Sequence, residues 1–229
     1  MTRPGLFHVK HTDILPDHTP PPALEAIAGH LFRAAAPLGF TGHSDAFSFL
    51  HQGMMPALAL SRMFRRPLLG QWLEIGSGSG AIGLSLATMH PAAHFTLADR
   101  RERVIAHLDL AVRRLGVPNA DILQADLRPG PHARRWLGVC FRALASPREA
   151  LQLAAHYSSR CICAWHSPRT GRYDVPPSGF HLAARAETCT PGLVATLYCR
   201  DRPSCAAPSA GQDATQDVGG AIWPSASPL

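Results

Sequence analysis

Apolar positions recur at helical spacing in the N-terminal part of the chain. The segment from Pro22 to Ala36 has a helical composition and starts with proline, which the first turn of a helix tolerates. Pro37 to His43 predicts a turn, after which Ser44 and Asp45 can cap a second helix. This helix is predicted to run on to Phe64, with an apolar stripe that faces the core: Phe47, Leu50, Met54 or Met55, Leu58 and Phe64.

Short apolar runs alternate with amphipathic segments from residue 71 onward, a rhythm typical of α/β folds. Helices are predicted from Ala81, over Arg101–Leu115 and over Pro147–His156. The predicted strands, of which the last two form an antiparallel pair, are Trp72–Ile75, His94–Ala98, Asp121–Gln124, Leu137–Phe141, Arg160–Trp165, Phe180–Glu187 and Leu193–Cys199. The pattern predicts an α/β, Rossmann-like fold with a mostly parallel seven-stranded sheet and N-terminal helices.

The length of 229 residues suits one domain with appendages. We predict a single domain over residues 22–202, with N-terminal helices in 22–70 and the sheet core in 71–202. Residues 1–21 are predicted to form an irregular arm. Residues 203–229 are rich in Pro, Ser, Ala and Gly without apolar periodicity, which predicts a disordered tail.

The segment Glu74-Ile75-Gly76-Ser77-Gly78-Ser79-Gly80 joins the first predicted strand to the next helix. Its glycines allow positive φ and let a ligand approach the backbone closely. The helix N-terminus that follows presents N–H groups without helical partners. Such units hold nucleotide-like cofactors at the carboxyl end of a parallel sheet. The alternative is a turn that binds nothing, which the acidic strand end and the number of glycines disfavour.

Three details favour S-adenosylmethionine (SAM) over a dinucleotide. Glu74 stands where dinucleotide binders usually keep an apolar residue, and its carboxylate can take the amino group of a methionine moiety. The glycines alternate, whereas the dinucleotide pattern would place its third glycine at Ala81. About 70 residues precede the strand, with which dinucleotide domains often begin. The predicted SAM-binding residues of this segment are Glu74, Gly76, Ser77, Gly78 and Gly80.

Two acidic residues follow strands at the same edge of the predicted sheet. Asp99 ends the second strand, where a carboxylate can accept both ribose hydroxyls; its alternative role is to cap the next helix. Asp126 follows the third strand and would contact the adenine edge, which Leu127 could flank. The alternative for Asp126 is a turn residue ahead of Pro129-Gly130.

Arg142 follows the fourth predicted strand, at the edge where ligands gather. It would position the acceptor base or the SAM carboxylate, and a surface arginine is the alternative. The segment Cys140-Phe141-Arg142-Ala143 lacks the Asn/Asp-Pro-Pro-Tyr/Phe motif of amine methylation, and Cys140 lacks the Pro-Cys context of pyrimidine C5 methylation. A purine N7 needs neither device, because its lone pair requires only alignment with the methyl group.

The formal net charge of +6 comes almost entirely from arginine. Arginine clusters at 65–66, 100–103, 113–114 and 134–135 would favour a polyanion such as RNA, although an arginine-rich surface from a GC-rich genome explains them equally well. No apolar run reaches the ~20 residues of a membrane span, and the N-terminus lacks a signal-peptide core. The histidines and cysteines show no metal-ligand spacing. We expect a cytoplasmic monomer without a metal.

The chain has one lysine, Lys10. The residues Phe7-His8-Val9-Lys10 can be encoded by TTT CAC GTG AAA, which is its own reverse complement. We interpret the peptide as the by-product of a palindromic DNA site that resembles the centromere-like site of bacterial chromosome partitioning. A basic N-terminal arm that touches RNA is the alternative.

Three segments in this order resemble the small-subunit (16S) rRNA methyltransferase G family (glucose-inhibited division protein B): Phe7–His11, Leu73–Gly83 and Phe141–Ser146. The resemblance covers approximately residues 24–202, and the Arg-Ala-Leu-Ala-Ser segment from Arg142 is its more specific signal. It implies a SAM-dependent enzyme that methylates guanine N7 in 16S rRNA, with Arg142 as a catalytic and SAM-binding residue. The implied partner is 16S rRNA or the small ribosomal subunit.

The chain departs from the family pattern at four places. Ile82 replaces a proline, Gly39-Phe40-Thr41 replaces Asn-Leu-Thr, and His51 lacks the Asp-Ser that follows it in the family. Trp165-His166-Ser167 stands where the family carries Lys-Gly. Three alternatives stay open: a SAM enzyme with a small-molecule or protein substrate, a non-catalytic RNA-binding relative, and an NAD-dependent dehydrogenase.

Overall fold

A computed structural model of the chain describes residues 19–64, 67–130, 134–142, 144, 146–167 and 173–200. Several predictions concern parts of the chain that lie outside these residues. They are the arm up to residue 18 with its Phe7–His11 segment, the arginines at 65 and 66, the alanines at 143 and 145, and the tail over 203–229. The division into an arm, one domain and a tail stays a prediction.

The first predicted helix is present as α1, Pro22–Ala35, and begins at proline as expected. Its buried face carries Leu24, Ile27 and Leu31 at helical spacing. A short 3₁₀ turn, Ala36–Leu38, follows and ends at Gly39 with φ 70°. Glycine adopts this left-handed conformation without the steric cost that a Cβ would bring.

The second predicted helix is broken into three pieces, so the prediction of one helix through Phe64 was wrong. The pieces are α2, Ala46–Ser48, a π-helix, Phe49–Met54, and α3, Ala57–Met63. The break lies before Pro56, which has no N–H to donate and whose ring would clash with the carbonyl of Gln52 in a regular helix. Asp45 caps α2 as predicted, and Met54 and Met55 are both buried.

The remaining chain alternates strands and helices, as predicted. The strands are β1, Gly70–Ile75; β2, Ala93–Asp99; β3, Ala120–Gln124; β4, Trp136–Arg142; β5, Ser158–His166; β6, Phe180–Glu187; and β7, Val194–Arg200. The helices are α4, Ala81–Met89; α5, Glu102–Leu115; and α6, Pro147–Tyr157. In the part of the chain covered by the structure, no helix is both long enough and apolar enough to cross a membrane.

The seven strands form one sheet in the order β3-β2-β1-β4-β5-β7-β6. Neighbouring strands from β3 to β5 are parallel, and β7 runs antiparallel to both β5 and β6. The predicted α/β fold with a mostly parallel seven-stranded sheet is therefore confirmed. The chain changes direction across the sheet between β1 and β4, where ligand clefts of such folds open.

Two apolar layers cover the sheet because successive side chains of a strand point to opposite faces. Trp72 and Phe95 face a core that includes α1, the π-helix, α4 and α5. Leu73 and Ile75 face the other core, to which α6 contributes Leu151. Glu74 alternates with its neighbours and therefore points toward the face that α4 covers.

Candidate functional site

The candidate site lies at the carboxyl ends of β1, β2 and β4, where the strand order changes direction. An open cleft of about 440 Å³ lies at this edge. It is lined by residues from five segments, among them Gly76, Asp99, Asp126, Leu127, Arg142 and Leu144. The structure therefore brings five of the predicted site residues to one cleft. A volume of this size suits a cofactor of nucleoside dimensions.

The glycine loop turns sharply between β1 and α4. Gly76, Gly78 and Gly80 have φ angles of 73°, 54° and 80°, in the left-handed region predicted for them. The N–H groups of Gly76 and Ser77 both donate to the carbonyl of Ala98, at 2.8 and 3.1 Å, which ties the loop to β2. A Cβ on Gly78 would meet no atom closer than 3.9 Å, so its backbone angle and not crowding requires glycine there.

Glu74 is buried at the end of β1, and its Oε2 has no hydrogen-bond partner. Burial is the main cause that raises the pKa of Glu74 to about 7; hydrogen bonds from Ser77 and Gly83 and the charge of Arg142 oppose the rise, and Asp99 adds to it. Gly83 makes room for this carboxylate, since a Cβ there would lie 2.3 Å from Oε2. An unpaired buried carboxylate oxygen is costly, and a cationic ligand group would relieve that cost.

Asp99 is buried at the end of β2 and is held by two groups of the site. Its Oδ2 accepts the N–H of Gly78 at 3.2 Å, and both oxygens accept the guanidinium of Arg101 at 3.1 Å. Burial raises the pKa of Asp99, but the hydrogen bonds from Arg101 and Gly78 outweigh it and lower the pKa overall. Asp99 also accepts the backbone N–H of Arg101 at 3.0 Å. Arg101, and not Asp99, is the N-cap of α5, which has no side-chain cap; Asp99 lines the cleft, and its role in ribose binding stays a prediction.

Asp126 lies at the rim of the cleft and is half-exposed. It forms an ion pair with Arg128, whose Nη2 lies 2.6 Å from its Oδ2. This local pair is what the turn-residue alternative predicts, although Asp126 also lines the cleft. Leu127 packs against the α6 side of the core and contributes an apolar wall.

Arg142 ends β4 and points into the interior edge of the cleft and not to the surface. Its Nη1 donates to the carbonyls of Gln52 and Gly53, at 3.3 and 3.4 Å. These carbonyls lie at the end of the π-helix, just ahead of the break at Pro56. Inside a regular helix, N–H groups of the next turn would occupy such carbonyls, and a distant side chain could not bind them. Burial lowers the pKa of Arg142, and Glu74 counteracts this.

The surroundings of the predicted Ser77, and of Cys140, which was not predicted to be a nucleophile, narrow the roles of both side chains. Ser77 is buried, and its hydroxyl donates to the carbonyl of Glu74 at 3.4 Å, so its side chain supports the turn. Cys140 is buried beneath the site, and burial raises the pKa of its thiol well above the ordinary value. A thiol kept neutral in this way is unsuited to act as a nucleophile. Among the described residues, no three His, Cys, Asp or Glu side chains form a group that could hold a metal ion.

Sequence reasoning missed three residues that shape the loop. Arg101 was predicted as a helix start and as part of the arginine cluster at 100–103, yet its guanidinium binds the carboxylate of Asp99. His107 of α5 is buried, and its Nε2 lies 3.2 Å from the carbonyl of Ser79 in the glycine loop. Phe40 packs against His107, with 5.4 Å between ring centroids. The apolar spacing of α5 placed His107 on the buried face, a signal that could have identified it as a polar contact of the loop.

Solved methyltransferases share the fold at low sequence identity. Magnesium protoporphyrin IX methyltransferase (ChlM) from Synechocystis PCC 6803, solved with bound SAH, matches with a TM-score of 0.53 and 16% identity over 78% of this chain and all of that one. TrmN from Thermus thermophilus matches with a TM-score of 0.52 and 19% identity, over 75% of this chain and 53% of that one. Both likenesses concern the fold alone.

Curated relatives are similar in sequence over part of their length. Ribosomal RNA small subunit methyltransferase G from Serratia proteamaculans (strain 568) is 29% identical over 90 residues, which are 39% of this chain and 44% of that protein. The protein of the same name from Leifsonia xyli subsp. xyli (strain CTCB07) is 29% identical over 142 residues, 57% of this chain and 68% of that protein. The match to the Serratia protein thus spans less than half of its length.

The family model described as GidB, rRNA small subunit methyltransferase G, matches residues 22–161. The matched range begins with α1 and ends within β5, so it contains the glycine loop, Asp99, Asp126 and Arg142. Because this range is more than half of the sequence, the chain belongs to the rRNA small subunit methyltransferase G family.

Proposed function

We propose that this protein transfers a methyl group from SAM to N7 of a guanine in 16S rRNA. The observation that carries the proposal is the family match over residues 22–161, a range that includes every residue lining the cleft. The acceptor atom comes from the family resemblance. We further propose that the enzyme works as a monomer in the cytoplasm, on 16S rRNA or the small ribosomal subunit.

The residues of the cleft fit SAM in charge and in shape. Glu74 does not line the cleft but lies buried behind the glycine loop, and its unpartnered carboxylate oxygen would take the ammonium group of the methionine moiety. Gly76, Gly78 and Gly80 give the cofactor close access to the backbone, and Ser77 holds the turn. Asp99 would accept the ribose hydroxyls, while Asp126 and Leu127 would border the adenine.

Bound SAM would supply an electrophilic methyl group on a sulfonium centre. The guanine N7 already has a lone pair, so the protein does not need to remove a proton before transfer, and its task is alignment. Arg142 is suited to this task, because two backbone carbonyls hold its guanidinium at the cleft edge. From there it would orient the guanine or the SAM carboxylate. The target base is expected to be unpaired, since the deep major groove of an RNA helix hides N7.

Mapping of rRNA methylation tests this proposal directly. Small-subunit rRNA from a strain without the gene should lack one N7-methylguanine, and the wild-type gene should restore it. A gene carrying Gly78→Val should fail to restore it, because valine disfavours the φ of 54° at this position. Unchanged rRNA methylation in the deletion strain would reject the proposal.

A non-catalytic RNA-binding relative is the second candidate, and one observation favours it. Where the family carries Lys-Gly, His166 is buried and stacks on Tyr173 at 4.1 Å, and Trp165 donates its indole N–H to the carbonyl of Pro56. These side chains pack inside the protein and bring no cation to a substrate. Calorimetry separates the candidates, because a relative that has lost catalysis through loss of the cofactor would not bind SAM. Binding of NADH, followed by its fluorescence, would instead favour a dehydrogenase.

A further inference from the structure

One aromatic side chain is displayed to solvent on the helical segment whose later carbonyls hold Arg142. Phe47 is 72% exposed, the largest exposed fraction among the large apolar side chains of the described residues. Its ring packs against the imidazole of His51, with 4.2 Å between centroids and 44° between the planes. The two rings lie one helical turn apart and are tilted against each other; we call them the Phe47–His51 pair.

The backbone that carries this pair is held rigidly. Asp45 accepts the N–H of Ser48 at 2.7 Å, and the Ser48 side chain completes a reciprocal capping box. The hydroxyl of Ser44 donates to the second oxygen of Asp45 at 2.8 Å. The carboxylate nearest to Phe47 is therefore engaged by the cap. An exposed aromatic ring on a well-capped turn loses little conformational entropy when it binds a partner.

The same helical segment is fastened to the cleft. The carbonyls of Gln52 and Gly53, directly after His51, accept the guanidinium of Arg142. The carbonyl of His51 also accepts the hydroxyl of Thr190, in the turn between β6 and β7. His51 of the pair therefore directly precedes the residues whose carbonyls hold Arg142, the side chain that we propose to orient the acceptor base.

We propose that the exposed ring of Phe47, supported from one side by His51, stacks on an unpaired RNA base next to the target guanine. This inference rests on the proposed function, because RNA is taken as the substrate. Aromatic side chains that stack on splayed bases are the usual means of recognising single-stranded RNA. The net charge of +6 suits the phosphates on either side of such a base. Arg142 and Phe47 would then hold two neighbouring nucleotides.

Equilibrium binding of small-subunit rRNA to the purified full chain tests the pair. Phe47→Ala should weaken binding about fivefold or more, the usual effect of losing one stacking side chain. Phe47→Trp should bind as the wild type does, because it keeps an aromatic face. Phe47→Leu should be as weak as Phe47→Ala, because it keeps apolar area without that face.

Leu69→Ala is the matched control. Leu69 is an apolar residue that is 59% exposed, and it precedes β1, at the opposite edge of the sheet from the cleft. This variant should bind RNA as the wild type does. SAM affinity, measured by calorimetry, should be the same in all variants, which shows that the fold and the cofactor cleft are intact.

The outcomes distinguish this inference from the proposed function. Wild-type affinity of Phe47→Ala or Phe47→Leu for the RNA overturns stacking, and so does a wild-type protein that binds no RNA. If Phe47→Ala weakens RNA binding as expected but the wild type transfers no methyl group, the stacking pair stands and the proposed methylation fails. If Phe47→Ala transfers methyl groups with the wild-type affinity and KM for RNA, the proposed methylation stands and the stacking inference fails.

Discussion

At the scale of single residues, Glu74 and Asp99 are two buried carboxylates at the ends of adjacent strands, and their surroundings shift the two pKa values in opposite directions. The pKa of Glu74 is raised by burial, whereas the hydrogen bonds of Arg101 and Gly78 lower that of Asp99. Asp99 is therefore ionised at neutral pH, while Glu74 titrates near it. This difference gives each residue a separate test.

The affinity for SAM is expected to rise with pH through the titration of Glu74. With a pKa of about 7, the ionised fraction of Glu74 rises roughly eightfold between about pH 6 and 7.5, and only this form attracts an ammonium group. Calorimetry at several pH values should show this rise in the wild type and a flat profile in Glu74→Gln. A flat wild-type profile would contradict the role given to Glu74.

The same shift has a consequence for the stability of the ligand-free protein. The folded-state pKa of Glu74 lies above the ordinary value of 4.5, so the folded state binds more protons between the two values. The contribution of Glu74 to the unfolding free energy therefore falls as the pH rises from about 4.5 to about 7. Denaturation curves of the wild type and of Glu74→Gln over this range isolate that contribution.

Arg101 is expected to compete with the ribose for Asp99. Because its guanidinium occupies both oxygens of Asp99, a ribose must displace it. Arg101→Ala should tighten SAM binding by up to about fivefold, the strength of a partly exposed ion pair. Arg113→Ala, which removes the exposed pair with Asp109 on α5, is the control and should leave SAM affinity unchanged. Weaker SAM binding by Arg101→Ala would mean that Arg101 itself contacts the cofactor.

At the scale of secondary-structure elements, the packing of α4 on β1 determines where Glu74 lies. The helix can approach the strand because Gly83 has no side chain above the carboxylate. The glycines of the loop were predicted to let a ligand approach the backbone closely. The structure shows in addition that Gly83 lets α4 approach β1 closely. The local sequence carries no sign of this second contact, because Glu74 and Gly83 meet only once the loop has turned.

Gly83→Ala is expected to destabilise the fold. Its Cβ would lie 2.3 Å from Oε2 of Glu74 and 2.9 Å from Leu97, so α4 would have to shift, at a cost of about 1–3 kcal/mol. Gly29→Ala in α1 is the matched control, because its Cβ would meet only the flexible end of Arg33 at 3.3 Å. There, alanine should stabilise the helix by about 0.5–1 kcal/mol. Urea denaturation of both variants measures the two effects, and equal effects would contradict this account.

The elements differ in how far local patterns could predict them. The strands and helices after residue 70 follow from apolar runs and glycine turns, which act over neighbouring residues. The break at Pro56 was missed because the apolar stripe continues across it, from Leu50 to Leu58. That break exposes the carbonyls that hold Arg142, a contact between positions 89 and 90 residues apart. Contacts of this kind depend on the sheet order, which no local pattern contains.

At the scale of the whole molecule, the cofactor and the RNA are expected to bind through different kinds of groups. The cofactor cleft combines carboxylates with glycine backbone and is bordered by β1, β2 and β4. The cleft lining also includes Arg100, Arg101 and Arg142, and further exposed arginines lie outside it, among them Arg113 and Arg128, which pair with Asp109 and Asp126. Trp165 and His166, which stand where the family carries Lys-Gly, are buried, so under the proposed function we expect exposed arginines to supply the attraction for RNA phosphates.

This division predicts different salt dependences for the two ligands. If the arginines neutralise about five phosphates, a fourfold increase in salt should weaken RNA binding about 100-fold, because bound counterions are released. SAM binding depends on short contacts with buried groups, which salt screens far less, and its affinity should change less than about twofold. Filter binding with small-subunit rRNA and calorimetry with SAM, over the same salt series, measure both. RNA affinity that does not depend on salt would show that the net charge plays no part in substrate binding.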